Sequence, residues 1–292
     1  MSVVAAAGLT KRFGDVTALD DVTFTLTGNK IYGLLGRNGA GKTTLMQLIT
    51  GQNSGTSGDL TLFGERPYEN ERALSQVAFI KESQTYPAAY QVRHVLSLAE
   101  RLFRNWDEDF AQSLVDDFDL PRKRNVRKLS RGMLSALGVT IGLAARAPLT
   151  FFDEPYLGLD AVARQLFYDR LLADYAENPR TVVLSTHLID EVADLIEHVL
   201  LLDRGKLLLD APSDELRGEV MEASGPAAVV DEFAAAYRVL HREQLGGAVR
   251  ASLRGSFDNA ERMRAKKLGI DLAPVSLQQA VVRLTTEGTK TR

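Results

Sequence analysis

The spacing of apolar and polar residues changes along the chain. In residues 5–26 it alternates and is rich in β-branched side chains, as in Val22-Thr23-Phe24-Thr25-Leu26, which predicts antiparallel strands turning at Gly14-Asp15. Residues 31–35 form a short apolar run, and Leu45, Leu48 and Ile49 then recur at helical spacing up to Gly51. Residues 55–58 read as a loop, 59–64 as a short strand with its turn, and 77–80 as a buried strand. Between Val92 and Leu120 the period is helical, with Val95, Leu98 and Leu102 on one face, then Phe110, Leu114 and Phe118 on another. Residues 149–152 and 181–184 have the length and character of buried strands, and 199–209 reads as a hairpin around Asp203-Arg204-Gly205-Lys206.

After Pro212 the texture turns Ala-rich. A strand is expected over 248–253 and a helix over 258–267, and Ser276-Leu277-Gln278-Gln279 has the spacing of a capping box opening a last helix. The pattern therefore predicts an α/β domain over 1–215, with a helical segment near 88–135, followed by a small α+β appendage over 216–292.

Composition narrows the partners only a little. With 45% apolar and 25% charged residues and a net charge of -3, no global field points to nucleic acid or lipid, and no nucleic-acid partner is expected. The absence of cysteine excludes disulfides, thiol catalysis and cysteine-ligated metal centres in this chain. No apolar run reaches the ~18 residues of a membrane span; the longest candidate, 139–152, is broken by Arg146 and Pro148. The start has no basic residue ahead of its apolar patch, so a soluble, cytoplasmic chain is expected, with any membrane role borne by another polypeptide.

The chemistry centres on Gly36-Arg37-Asn38-Gly39-Ala40-Gly41-Lys42-Thr43, followed by Thr44, which fits G-x-x-x-x-G-K-[ST] between a strand and a helix. Glycines there let successive N–H groups curl round a phosphate, and the helix adds its positive end. Lys42 would reach the β- and γ-phosphates and Thr43 would ligate Mg²⁺. Residues 149–152 then deliver Asp153 and Glu154 at the carboxyl end of a strand, where open α/β sheets bind ligands. One carboxylate can hold the Mg²⁺ shell while the next polarises water. The strand over 181–186 delivers His187 to the same edge. Lys81-Glu82-Ser83-Gln84 leaves a buried strand as either a site lining or an exposed connection. The acids at 107–109 and 116–119 read as a solvated face, and the basic run from Arg122 to Arg131 as an exposed loop. Spacing leaves Phe13 as a core aromatic or a stacking platform for a base, and favours the core.

Together these motifs resemble the ATP-binding cassette (ABC) family of P-loop nucleoside triphosphatases, the ATPase subunits of ABC transporters, over roughly residues 5–215. Residues 36–44 are similar to Walker A and 149–154 to Walker B, with Glu154 as general base. Leu157-Gly158-Leu159-Asp160 resembles the D-loop, and Ser185-Thr186-His187 the switch-histidine segment. The resemblance implies a mixed-sheet core with an antiparallel β-subdomain and a helical subdomain, and it makes Phe13 the aromatic that stacks on adenine. Leu129-Ser130-Arg131-Gly132-Met133 stands where the family has LSGGQ, keeping Ser130 and Gly132 but carrying Arg131 and Met133. Glu82 stands where the family has the Q-loop glutamine, near Mg²⁺ through water, unless Gln84 takes that place.

The family also implies a composite site. Two cassettes, as a homo- or heterodimer, close head to tail on ATP, each phosphate loop facing the other's Ser130 segment, and drive a separate integral membrane permease from the inner face of the cell membrane. The stretch from Asp271 to Val281 is similar to the closing segment of exporter cassettes, so an exporter is expected. The alternatives are a soluble ABC ATPase without a permease, serving cofactor assembly or nucleic-acid metabolism, and another phosphate-loop enzyme such as a small-molecule kinase or GTPase.

Overall fold

The computed structural model describes residues 2–82 and 84–290, with side chains up to 284. Ser83, in the stretch leaving the strand over 77–80, lies outside the described residues. The chain runs β1 (Ser2–Phe13), β2 (Val16–Thr27), β3 (Ile31–Leu35), α1 (Lys42–Ile49), β4 (Ser57–Leu62), α2 (Glu71–Leu74), β5 (Val77–Lys81), α3 (Val92–Leu102) and α4 (Glu108–Asp117). It continues with α5 (Arg131–Ala144), β6 (Leu149–Asp153), α6 (Ala161–Glu177), β7 (Thr181–Thr186), α7 (Ile189–Val192), β8 (His198–Asp203) and β9 (Lys206–Pro212). Last come α8 (Ser213–Glu219), β10 (Val220–Pro226), α9 (Ala227–Ala234), β11 (Arg238–Leu245), β12 (Ala248–Arg254), α10 (Asn259–Lys267), β13 (Asp271–Pro274) and α11 (Leu277–Lys290).

Two compact units emerge, one of residues 1–187 with 198–210, the other of 188–197 with 211–292. The sequence alone puts a single cut after residue 215. The units instead divide inside β9, and the short segment carrying α7 groups with the C-terminal residues.

In the first unit a six-stranded sheet has the order β5-β6-β7-β3-β8-β9, and a three-stranded antiparallel sheet has the order β2-β1-β4. Strands β3, β6 and β7 are buried along their whole length, as the continuous apolar runs predict for a parallel sheet covered on both faces. One core joins the two sheets, with Leu9, Leu26 and Leu62 of the antiparallel strands packing in a cluster with Leu34, Met46 and Phe151. Full burial stabilises each such side chain by roughly 1.5–3 kcal/mol.

The helical segment corrects one expectation. On α3 the buried stripe is Val92, Val95, Leu96 and Ala99, while Leu98 and Leu102 are 42% and 63% exposed. The helical period is real, but its buried arc is rotated from the one the leucines mark. The acids before α4 are also more than a solvated face, because Asp107 caps the helix by accepting from the Phe110 N–H at 2.8 Å and pairs with Arg146 at 2.5 Å. The basic residues from Arg122 to Arg131 are exposed, as expected of a loop.

The second unit contains the succession β10-α9-β11-β12-α10-β13 in an antiparallel sheet of order β11-β12-β10-β13, which is the split βαβ, ferredoxin-like arrangement. Met221, Ala223, Val249, Ala251 and Leu253 form its core with Val230 and Phe233 of α9. The capping box at Ser276 forms as its spacing predicts: Gln279 N–H donates to Ser276 Oγ at 3.2 Å, and Ser276 N–H to Gln279 Oε1 at 3.3 Å. Among the described residues, no helix is long and apolar enough to cross a membrane.

A buried ion network fastens α6 in the first unit. Asp174, 5% exposed, accepts from Arg180 Nη1 at 2.6 Å and from Arg146 Nη2 at 2.6 Å. Removing the shared acid strands the buried Arg180 guanidinium, while Arg146 keeps its pair with Asp107. Asp174→Ala is therefore expected to lower the unfolding free energy by about 3–5 kcal/mol, read as a lower urea midpoint at unchanged slope.

Candidate functional site

Parallel register builds the site. Lys81 pairs with Asp153, Asp153 with Ser185, and Leu34 with Ser185, so β5, β6, β7 and β3 end together. The residues that leave these ends are Glu82, Glu154, His187 and Gly36. A cleft of about 550 Å³ opens there, lined by residues 16–18, 37–44 and 81–82, with Asp153, Glu154 and Leu157.

The loop leading into α1 needs its glycines. Gly36 has φ +149°, and a Cβ on it would lie 2.4 Å from the Leu202 carbonyl oxygen, so no other residue fits. Helix α1 begins at Gly41 without a side-chain cap, which leaves its first-turn N–H groups to an anion. Lys42 is 6% exposed, and its ammonium donates to the Gly36 carbonyl at 2.7 Å and lies 3.6 Å from Glu154 Oε1. These oxygens stand where a phosphate would offer its own.

Thr43 Oγ1 donates to Asp153 Oδ2 at 3.0 Å. Burial pushes the Asp153 carboxyl above its ordinary range, against the lowering effect of the Ser185 and Thr43 hydroxyls. A hydroxyl and a buried carboxylate are hard oxygen donors, and the phosphate loop lies beside them. This set suits Mg²⁺, which takes one or two protein oxygens and completes its shell with phosphate and water.

Beside this pair lies a second cluster. Glu154 adopts φ +50°, an uncommon backbone for a side chain with a Cβ, at a cost on the order of 1–3 kcal/mol held by the surrounding fold. Its N–H donates to the Ser185 carbonyl at 3.1 Å, and its Oε2 lies 2.9 Å from His187 Nδ1. Tyr156, 3% exposed, puts its hydroxyl 3.2 Å from the same Oε2 and 3.1 Å from His187 Nδ1. Burial pushes the Tyr156 phenol well above its ordinary range, so it stays protonated. The sequence reading passes over Tyr156; the available signal is a hydroxyl-bearing aromatic just after the acids at a strand end.

The signature segment opens α5. Leu129 is buried, while Ser130 is exposed and caps the helix, its Oγ accepting from Met133 N–H at 3.2 Å. Gly132 is required because a Cβ there would lie 2.7 Å from the Gly158 carbonyl oxygen. Asp160 caps α6, accepting from the Ala163 N–H at 2.8 Å. The two departures from the family pattern meet, since Arg131 and Glu82 form an ion pair. Glu82 lines the cleft, whereas the Gln84 side-chain oxygen turns back to accept from Lys81 N–H at 3.4 Å.

Phe13 corrects the preference drawn from spacing. It is 46% exposed rather than core, with Lys11 Nζ 4.8 Å from its ring centre, and it pairs with Val16 across the first hairpin.

A family model described as ABC transporter matches residues 19–157. The bacitracin transport ATP-binding protein BcrA of Bacillus licheniformis is 29% identical over 219 residues, 74% of this chain and 72% of BcrA. The Nod factor export ATP-binding protein I of Rhizobium johnstonii is 31% identical over 210 residues, 70% of this chain and 67% of that protein. Among solved structures, an ATP-binding subunit of an ABC transporter superposes with a TM-score of 0.67 at 24% identity, over 74% of this chain and 92% of that one. A dimeric ATP-binding cassette in a post-hydrolysis state with ADP and Pi gives 0.63 at 18% identity, over 72% and 98%. With the phosphate loop, the paired acids and the histidine converging on one sheet edge, the chain belongs to the ABC transporter ATP-binding proteins, which are ATPases.

Proposed function

We propose that this chain is the motor subunit of an exporter, closing on ATP with a second cassette and driving a separate integral membrane permease from the cytoplasmic face of the membrane. The observation that carries the composite site is the exposed Ser130 at the start of α5, which does not line the chain's own phosphate cleft. A hydroxyl and a helix N-terminus turned outward suit a phosphate held by another copy. Export is supported by the Nod factor export relatives, and transport more broadly by the bacitracin transport protein.

In this reading residues 36–44 cradle the phosphates, Lys42 exchanges its loop carbonyls for phosphate oxygens, and Phe13 stacks on adenine. Thr43 and Asp153 would hold Mg²⁺, with Glu82 able to reach it through water; bound there, the ion would neutralise phosphate charge. Glu154 takes the proton of the attacking water and His187 orients it towards the γ-phosphate. Asp160 and the Ser130 segment, with Arg131, Gly132 and Met133, face the second subunit, and buried Leu129 anchors that segment from beneath. The permease docks on α3, where Tyr90, His94, Ser97, Leu98 and Arg101 line a groove of about 300 Å³ beside the exposed Leu102.

Glu154→Gln is expected to retain ATP binding, lose turnover and accumulate an ATP-bound dimer in size-exclusion chromatography; unchanged hydrolysis would remove Glu154 from the base role. Arg131 already has a partner on its own chain in an exposed pair, so Arg131→Gly should shift unfolding free energy by less than about 1 kcal/mol and leave turnover within a few-fold. A large loss of turnover would show instead that its charge is used on the second subunit's nucleotide. Leu102→Glu should leave basal ATP hydrolysis intact and abolish co-purification with an integral membrane protein from detergent-solubilised membranes; a wild-type chain that never co-purifies supports the soluble ATPase alternative.

A further inference from the structure

The hydroxyl of Tyr156 has more polar neighbours than a buried phenol needs. Thr186 Oγ1 donates to it at 3.0 Å and the His187 backbone N–H at 3.3 Å. Those donors occupy both lone pairs, so the phenol's own proton is committed to the remaining neighbours, Glu154 Oε2 at 3.2 Å or His187 Nδ1 at 3.1 Å. With Glu154 ionised, one assignment pairs every atom: His187 Nδ1–H and the phenol both donate to Oε2. Oε2 is then held from two sides, and Oε1 is the oxygen left towards Lys42 and the phosphate loop.

We propose that Tyr156 is a positioning residue for ATP hydrolysis, its hydroxyl tying Glu154 Oε2 and His187 into one rigid unit so that Oε1 is the oxygen offered to the attacking water. The proposal rests on the reading of Glu154 as the base. The geometry favours such a role over simple packing, because the ring's packing needs no hydroxyl. Its edge contact with the His187 ring, at 5.9 Å between centres, would survive in a phenylalanine. Glu154 also sits on a left-handed backbone that narrows where its side chain can point, so a clamp on one oxygen fixes the other. A base displaced by a fraction of an ångström loses catalytic effect without any loss of nucleotide contacts.

Steady-state ATP hydrolysis by the 292-residue chain tests this. Tyr156→Phe is expected to lower kcat about tenfold or more while KM for ATP stays within about twofold. A kcat within about twofold of the parent would overturn the proposal. Because Tyr156→Phe removes the acceptor of the Thr186 hydroxyl's hydrogen bond, the double variant Tyr156→Phe/Thr186→Val is measured alongside it. The expected result is a melting temperature that recovers while kcat stays low; recovery of kcat together with stability would mean a packing fault and overturn the role. Glu154→Gln, assayed in parallel, separates the two readings. Turnover retained there removes the base assignment and the proposal with it, whereas loss there beside a normal Tyr156→Phe removes the positioning role alone.

Discussion

The register of four parallel strands is the constraint on which the chemistry depends. Lys81, Asp153, Ser185 and Leu34 lie on one line across β5, β6, β7 and β3, and each strand releases its chain just beyond that line. Parallel strands require long crossovers, so residues from Leu34 to Ser185 reach a common edge only because helices carry the chain back each time. A slip of one residue in β6 would turn Asp153 to the opposite face of the sheet and separate it from Thr43. The complete burial of β3, β6 and β7 is what makes such a slip expensive.

Charge at this edge is balanced in layers. The Lys42 ammonium is enclosed by loop carbonyls and Glu154, and Asp153 is held by the Thr43 hydroxyl in surroundings that raise its proton affinity. The site thus brings together a buried ammonium and hard oxygen donors, groups whose charges complement phosphate and a divalent cation. Glu154, Tyr156 and His187 form a neighbouring hydrogen-bonded cluster that meets Lys42 through Glu154 Oε1.

Away from the edge, the same fold uses charge for cohesion. Asp174 and its arginines brace α6, which Asp160 caps at its start. The second unit is organised differently, as a split βαβ sheet whose core lies on one face against α9 and α10.

How much of this was legible in the chain follows from how local each feature is. The phosphate loop, the acids ending β6, the histidine after β7 and the capping box at Ser276 are contiguous patterns whose geometry is set within a few residues, and the sequence by itself determined them. Phe13 could not be assigned from spacing, because exposure at the end of a hairpin depends on what packs across it. Leu98 and Leu102 have the period of a buried stripe, yet which arc of α3 is buried is settled by the elements packed against it. The pairing of Arg131 with Glu82, the convergence of Tyr156 on Glu154 and His187, and the grouping of 188–197 with the C-terminal residues join positions whose relation only the packed chain creates. Local sequence sets dihedral angles and hydrophobic period; the tertiary structure alone decides which side chains, distant along the chain, share one hydrogen bond.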